Sequence, residues 1–135
     1  MDTISRHRRS ANMRRIGSKN TKPELLVRRL IHGLGFRYRL HRADLPGKPD
    51  IVFSAPRKVI FVHGCFWHQH GLCADSHVPK SRRSYWMPKL QNNRRRDIEN
   101  YRRLRTLEWK YLVVWECETQ NLKQLTKKVG SFLRA

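Results

Sequence analysis

Apolar positions along this chain change their period several times, and each change marks an element. Leu25, Leu26, Arg29, Leu30 and Leu34 continue a helix from the capping-box signature Thr21-Lys22-Pro23-Glu24 until Gly33 and Gly35 stop it. Phe36-Arg37-Tyr38-Arg39-Leu40 then alternates like a half-buried strand. Past the loop Asp44-Leu45-Pro46-Gly47-Lys48-Pro49, the runs 50–53 and 58–62 flank a turn at Ala55-Pro56-Arg57 and read as a hairpin. Over residues 89–108, Leu90, Ile98, Tyr101, Leu104 and Leu107 recur at near-helical spacing, so one side can pack while the arginines stay in water. Tyr111-Leu112-Val113-Val114-Trp115 is apolar without alternation, the pattern of a central strand buried on both faces, and a last helix over 121–133 covers it. This order predicts a mixed α/β sheet with helices on both sides.

Charge changes the picture more than length does. The 135 residues suffice for a single domain with a core, but 30 Lys and Arg stand against 10 Asp and Glu, a formal charge of +20. Self-repulsion of that size is best tolerated beside a polyanion, and nucleic acid leads. No long apolar segment or signal-peptide core is present, which predicts an intracellular, cytoplasmic protein associated with the nucleoid and not with a membrane. Residues 1–20 form a basic arm with almost no apolar face, from which Met13 could enter a groove while Arg8, Arg9, Arg14 and Arg15 meet phosphates. Residues 21–135 are the folded domain.

The segment from Val59 to Cys73 concentrates the chemistry. A β-branched run there ends in His63-Gly64-Cys65-Phe66-Trp67-His68-Gln69-His70-Gly71-Leu72-Cys73. Asp50, where a Pro/Gly turn enters a strand, could present a carboxylate to a hard cation such as Mg²⁺, or could simply bond its own backbone. Across the hairpin from it, His63 and His68 are candidates for proton transfer, since imidazole titrates nearest to working pH. Glu24 is a further candidate carboxylate, although a capping role accounts for it. The three cysteines, an odd number, argue against a disulfide framework. Cys65, His70, Cys73 and Cys117 could instead form a closed tetrahedral zinc site, with buried thiols as the alternative. Phe66, Trp67 and Trp86, set among arginines, suit wedging between bases, favoured where pairing is already weak.

Taken together, Asn12-Met13, Leu45-Pro46-Gly47-Lys48-Pro49-Asp50, Phe61-Val62-His63-Gly64-Cys65-Phe66-Trp67-His68, the segment around Trp86, Asn93 with Arg96-Asp97, and Trp115-Glu116-Cys117 closely resemble the very short patch repair (Vsr-type) mismatch endonucleases. The resemblance runs over roughly residues 10–118. It implies a restriction-endonuclease-like fold with a central mixed sheet flanked by helices and a structural zinc site. It also implies a monomer that acts on mismatched double-stranded DNA, with other repair proteins as further partners. The implied reaction is Mg²⁺-dependent, strand-specific nicking on the 5′ side of the thymine in T·G mismatches left by deamination of 5-methylcytosine. Carried over by motif, Asp50 binds Mg²⁺ together with the backbone carbonyl of Val62, which stands where a family member has Thr. His63 and His68 act through water at the metals and the scissile phosphate, and Glu24 orients His68 or that water. Phe66, Trp67 and Trp86 form the wedge, Met13 inserts from the arm, Arg14 and Arg15 lie on the DNA, and Asn93 and Asp97 fall near the DNA and the active site. Cys65, His70, Cys73 and Cys117 hold the zinc. Two other readings stay open: a non-catalytic zinc-stabilised DNA-binding module, and a nuclease of the same fold for another lesion.

Overall fold

The computed structural model describes residues 20–71, 78 and 82–135. Residues 1–19 of the basic arm, Met13, Arg14 and Arg15 among them, and Cys73 of the proposed zinc ligands lie outside the described residues.

The first helix, α1 (Lys22–Gly33), starts where its sequence says it should. Thr21 accepts from the backbone N–H of Glu24, and Pro23 occupies an early position where its missing donor costs nothing. The expected reciprocal half of the capping box does not form. The Glu24 carboxylate accepts from the Asn20 backbone N–H at 2.6 Å and faces inward, where it is only 2% exposed. The buried face of α1 is Glu24, Val27 and Ile31, with Leu26, Leu30 and Leu34 packed at its margin, while Leu25 is exposed.

A four-stranded sheet comes next, in the order β1 (Arg39–Leu40), β2 (Ile51–Phe53), β3 (Lys58–His63), β4 (Lys110–Trp115). The expected strand over 36–40 shrinks to its last two residues, both exposed, because β1 pairs only with the short β2. The hairpin holds: β2 and β3 are antiparallel, with Ile51 opposite Ile60. β3 and β4 run parallel, which demands a crossover, and α2 (Arg83–Thr106) supplies it.

Alternation along the strands sorts the core into two layers. Ile51, Phe53, Ile60 and Val114 face α1 and α3 (Leu122–Arg134), whose Val27, Ile31, Leu125, Val129 and Leu133 fill that side. Val52, Val59 and Phe61 face the other way, onto Leu104 and Trp109 with Tyr101, Tyr111 and Val113. Helices therefore cover both faces, as the element order implied. The strand buried on both faces is nevertheless β3 and not β4. β4 lies at the edge of the described sheet and most of it is only half-buried. Its unbroken apolar run reflects packing under helices on either side, which does not require neighbours on both edges.

Two departures in α2 carry consequences. The helix begins at Arg83, ahead of the expected 89, and tolerates Pro88 in its second turn. Those extra turns bring Tyr85 and Trp86 onto the helix. Ile98 and Leu107 are exposed, at 59% and 47%, so the packed seam of α2 narrows to Leu90 and Leu104, with Tyr101 beside it.

Lys58 opens the buried strand with a charge and is only 3% exposed. Its ammonium donates to the carbonyls of Phe132, Leu133 and Ala135, at 2.8, 3.3 and 2.7 Å, and so answers both the orphan carbonyls and the negative dipole end of α3. Lys58→Met is expected to keep the volume but strand those carbonyls, lowering stability by about 1–3 kcal/mol in denaturant unfolding. An unchanged midpoint would show that water satisfies the helix end equally well.

Candidate active site and metal centre

The hairpin register places the start of β2 beside the end of β3, and one hydrogen bond fixes the result. The Val62 backbone N–H donates to Asp50 Oδ2 at 2.7 Å. The Asp50 carboxylate thereby points into a cleft of about 210 Å³ lined by Thr21, Glu24, Gly47, Lys48, Asp50, Phe61, Val62, His63 and His68. Gly47 is required at the rim. Its φ is +81°, and a Cβ there would lie 3.0 Å from the Phe61 ring. Glu24, Asp50, His63 and His68, which come from three separate stretches of the sequence, thus line one volume.

The cleft has an anionic wall. Glu24 Oε1 is 2.7 Å from His41 Nε2, and its Oε2 accepts from Arg28 at 2.8 Å. Burial and the neighbouring Glu24 charge push the Asp50 carboxyl up to about 7, partly opposed by the Val62 N–H. Two carboxylates so close disfavour joint ionisation unless a cation joins them. Arg28 Nε is buried with no hydrogen-bond partner, the single such side-chain nitrogen or oxygen among the described residues. His41 and Arg28 were not among the expected site residues. The signal for His41 was weak, a lone histidine after an exposed strand.

The opposite wall is aromatic and basic. His63 and His68 stack face to face with centroids 3.7 Å apart and planes within 7°. His68 Nδ1 is 2.6 Å from Asp97 Oδ2, a contact that favours a proton on Nδ1, between the ring and the carboxylate. His63 Nε2 is 2.8 Å from the Tyr101 hydroxyl and 4.0 Å from Asp97 Oδ1. Burial first and the His68 ring second hold His63 far below the ordinary imidazole range, so it is neutral. Burial raises the Tyr101 phenol, which keeps its proton. Asp97 and Tyr101 sit one helical turn apart on α2, so α2 fastens both imidazoles.

Beyond His63 the chain turns tightly, with His68 N–H bonding the Gly64 carbonyl and His70 N–H the Cys65 carbonyl. Cys65 and Cys117 converge there on His70, with Sγ to Nδ1 distances of 3.8 and 3.4 Å. A tetrahedral zinc with ordinary Zn–S and Zn–N bonds separates such ligands by about 3.5 Å, so this sulfur and nitrogen donor set fits Zn²⁺. Trp115 stacks on His70 at 4.2 Å. Cys117 arrives on the 3₁₀ turn Glu116–Gln120, which Glu118 anchors through Lys128 at 2.8 Å and the Trp115 backbone N–H at 2.9 Å.

Phe66, Trp67 and Trp86 meet edge to face at 5.3 to 5.6 Å. Asn93 donates to the Trp67 carbonyl at 3.2 Å, and Arg96 donates to Asn93 at 2.9 Å. The loop aromatics are thus tied to α2, whose Arg94, Arg95 and Arg96 are exposed alongside. No helix among the described residues is long and apolar enough to cross a membrane.

Comparison with known proteins agrees with this architecture. A profile of the family described as DNA mismatch endonuclease Vsr matches residues 1–75. The chain is 49% identical over 132 residues to the type II nicking enzyme V.XorIIP of Xanthomonas oryzae pv. oryzae, covering 98% of this chain and 96% of that protein. It is 42% identical to the type II nicking enzyme V.NmeAIP of Neisseria meningitidis, over 98% of this chain and 94% of the relative. With DNA mismatch endonuclease Vsr of Escherichia coli K12 it shares 41% identity, over 93% of this chain and 80% of the relative.

Two measurements probe the site directly. Cys117→Ser is expected to lower zinc content and thermal stability together, because that ligand closes a long loop; unchanged zinc stoichiometry would remove it from the set. Asp50, raised to about 7 when folded, keeps a proton that the unfolded chain releases near pH 4. Without added divalent cation, stability should therefore fall between about pH 4 and pH 7 relative to Asp50→Asn, then run parallel to it. Parallel urea profiles over the whole range would mean that Asp50 is ordinarily acidic.

Proposed function

Because this chain belongs to the Vsr family of DNA mismatch endonucleases, we propose that it nicks one strand of double-stranded DNA on the 5′ side of the thymine in a T·G mismatch, using Mg²⁺ and a structural Zn²⁺, as a monomer. The observation that carries the reading is the convergence of Asp50, Glu24 and the His63–His68–Asp97 group on one cleft beside a cluster of large aromatic rings.

Each residue has a task set by its surroundings. Asp50 and the Val62 carbonyl would hold Mg²⁺, with Glu24 close by. The ion supplies positive charge at the phosphoryl and leaving oxygens. His68 takes the proton of the attacking water on Nε2, since Asp97 already occupies Nδ1 and stabilises the imidazolium that forms. His63, neutral and hydrogen-bonded with Tyr101, gives that ring an uncharged platform, so protonating His68 meets no second cation. The sulfur-ligated centre fixes the loop that carries both His68 and Trp67, as a disulfide could not in a reducing compartment.

Recognition divides between charge and shape. The exposed arginines of α2, with Arg14 and Arg15 of the arm, neutralise phosphates. Phe66, Trp67 and Trp86 enter the stack beside the mismatch, where unstacking costs least, and Met13 meets them from the arm. Asn93 holds the Trp67 backbone in place for this.

The test is a labelled duplex with one T·G mismatch in a methylated-cytosine context, compared with matched and T·A duplexes. A nick on the T strand is expected with Mg²⁺, lost with Asp50→Ala and reduced on the order of 100-fold or more by His68→Ala. Equal cutting of matched DNA would overturn the mismatch reading.

A further inference from the structure

Glu24, on the anionic wall of the cleft, is paired with a nitrogen donor for which the nicking mechanism has no use. His41 lies just past β1 with φ +48°, a left-handed conformation uncommon for a residue with a side chain. Its backbone N–H donates to the Asp50 carbonyl at 3.2 Å, carrying the β1–β2 ladder one step further. This bend returns the imidazole over α1, where Nε2 comes within 2.7 Å of Glu24 Oε1. Ligand-capable atoms of Glu24, His41 and Asp50 all lie within 4.8 Å of one another.

We propose that His41 is a nitrogen ligand of the active-site divalent cation, joining Glu24, Asp50 and the Val62 carbonyl, and that this added nitrogen makes the cleft bind Mn²⁺ more tightly than the Mg²⁺ that serves the nicking reaction. The inference rests on the nuclease reading and names the metal preference of that same cleft. Ligands in neighbouring positions around a small divalent ion stand about 3 Å apart. The 2.7 Å between Glu24 and His41 needs only a slight opening to become such an edge. Arg28, 2.8 Å from Glu24, cancels one of the two carboxylate charges, so an ion here gains less from charge alone than in an all-carboxylate site. An added imidazole contributes bonding without charge, and that favours transition metals over Mg²⁺. The two imidazoles that line the cleft are engaged away from the carboxylates, His68 Nδ1 with Asp97 and His63 Nε2 with Tyr101, whereas the close contacts of the His41 ring are Glu24 and, at 3.5 Å, Arg28.

The experiment measures metal binding by the full-length protein as purified, apart from any cutting. Calorimetry gives Mn²⁺ and Mg²⁺ affinities, and pulsed EPR of bound Mn²⁺ reads nitrogen coupling from an imidazole ligand. The variant is His41→Asn, because Asn accepts positive φ and is too short to reach Glu24. Its folding is checked by circular dichroism, and His68→Asn is the companion control. Wild type and His68→Asn should show the nitrogen signal and prefer Mn²⁺. His41→Asn should lose the signal and on the order of tenfold or more in Mn²⁺ affinity, with Mg²⁺ affinity little changed. Retention of both the signal and the preference in His41→Asn would overturn the proposal and leave His41 as a residue that orients Glu24. Cation binding that survives Asp50→Ala would strike at the nuclease reading itself. Binding that depends on Asp50 but not on His41 defeats only the present inference.

Discussion

The bond from the Val62 backbone N–H to Asp50 is the constraint on which the functional half of the molecule depends. It joins the first residue before β2 to the penultimate residue of β3, so a carboxylate is aimed by main-chain geometry and not by a flexible stem. β3 can do this because it is held on both edges and both faces. β2 pairs on one edge and β4 on the other, while helices press on both faces. A one-residue slip in that hairpin would turn Ile60 and Phe61 to opposite layers and carry the Asp50 partner with them.

The loop after β3 uses the same rigidity in a different way. The strand ends in His63, and within a few residues the chain has supplied a stacked imidazole, aromatic rings and sulfur and nitrogen donors. Such a loop has little apolar core of its own and would ordinarily be mobile. It is instead fastened at separate points: His68 to Asp97, the Trp67 carbonyl to Asn93, and Cys65 with His70 to Cys117. α2 contributes two of those fastenings, which explains why a helix with only a narrow apolar seam, Leu90 and Leu104, is nonetheless well placed.

Electrostatics divides the cleft into two regimes. On the carboxylate side, burial makes negative charge costly at Asp50, while Arg28 already answers Glu24. On the His63 and His68 side, burial makes positive charge costly, keeping one ring neutral while the other has a carboxylate in support. A chain with a formal charge of +20 thereby keeps a locally anionic pocket inside a basic surface. That combination suits a phosphodiester drawn in by the surface and met by a cation within.

The sequence by itself determined the element order, the hairpin, the helices on both faces and most of the candidate residues. Capping residues, turn chemistry and apolar period are local properties that neighbours in the chain disclose. It also marked Asp50, His63, His68, the aromatic trio and the sulfur and nitrogen donors, since those residue types cluster conspicuously and match a known family. Only the tertiary structure decided that β3 and not β4 is the strand buried on both faces, because burial depends on which strands pair and an apolar run cannot report that. Pro88 hid the true start of α2, where the fold accepts a missing hydrogen bond in exchange for placing Trp86. Glu24 turned from a helix cap into a buried member of the cleft, with Asn20, Arg28 and His41 as partners. His41 and Tyr101 gained their significance in the same way, from atoms brought together across long stretches of chain, where sequence spacing carries no distance.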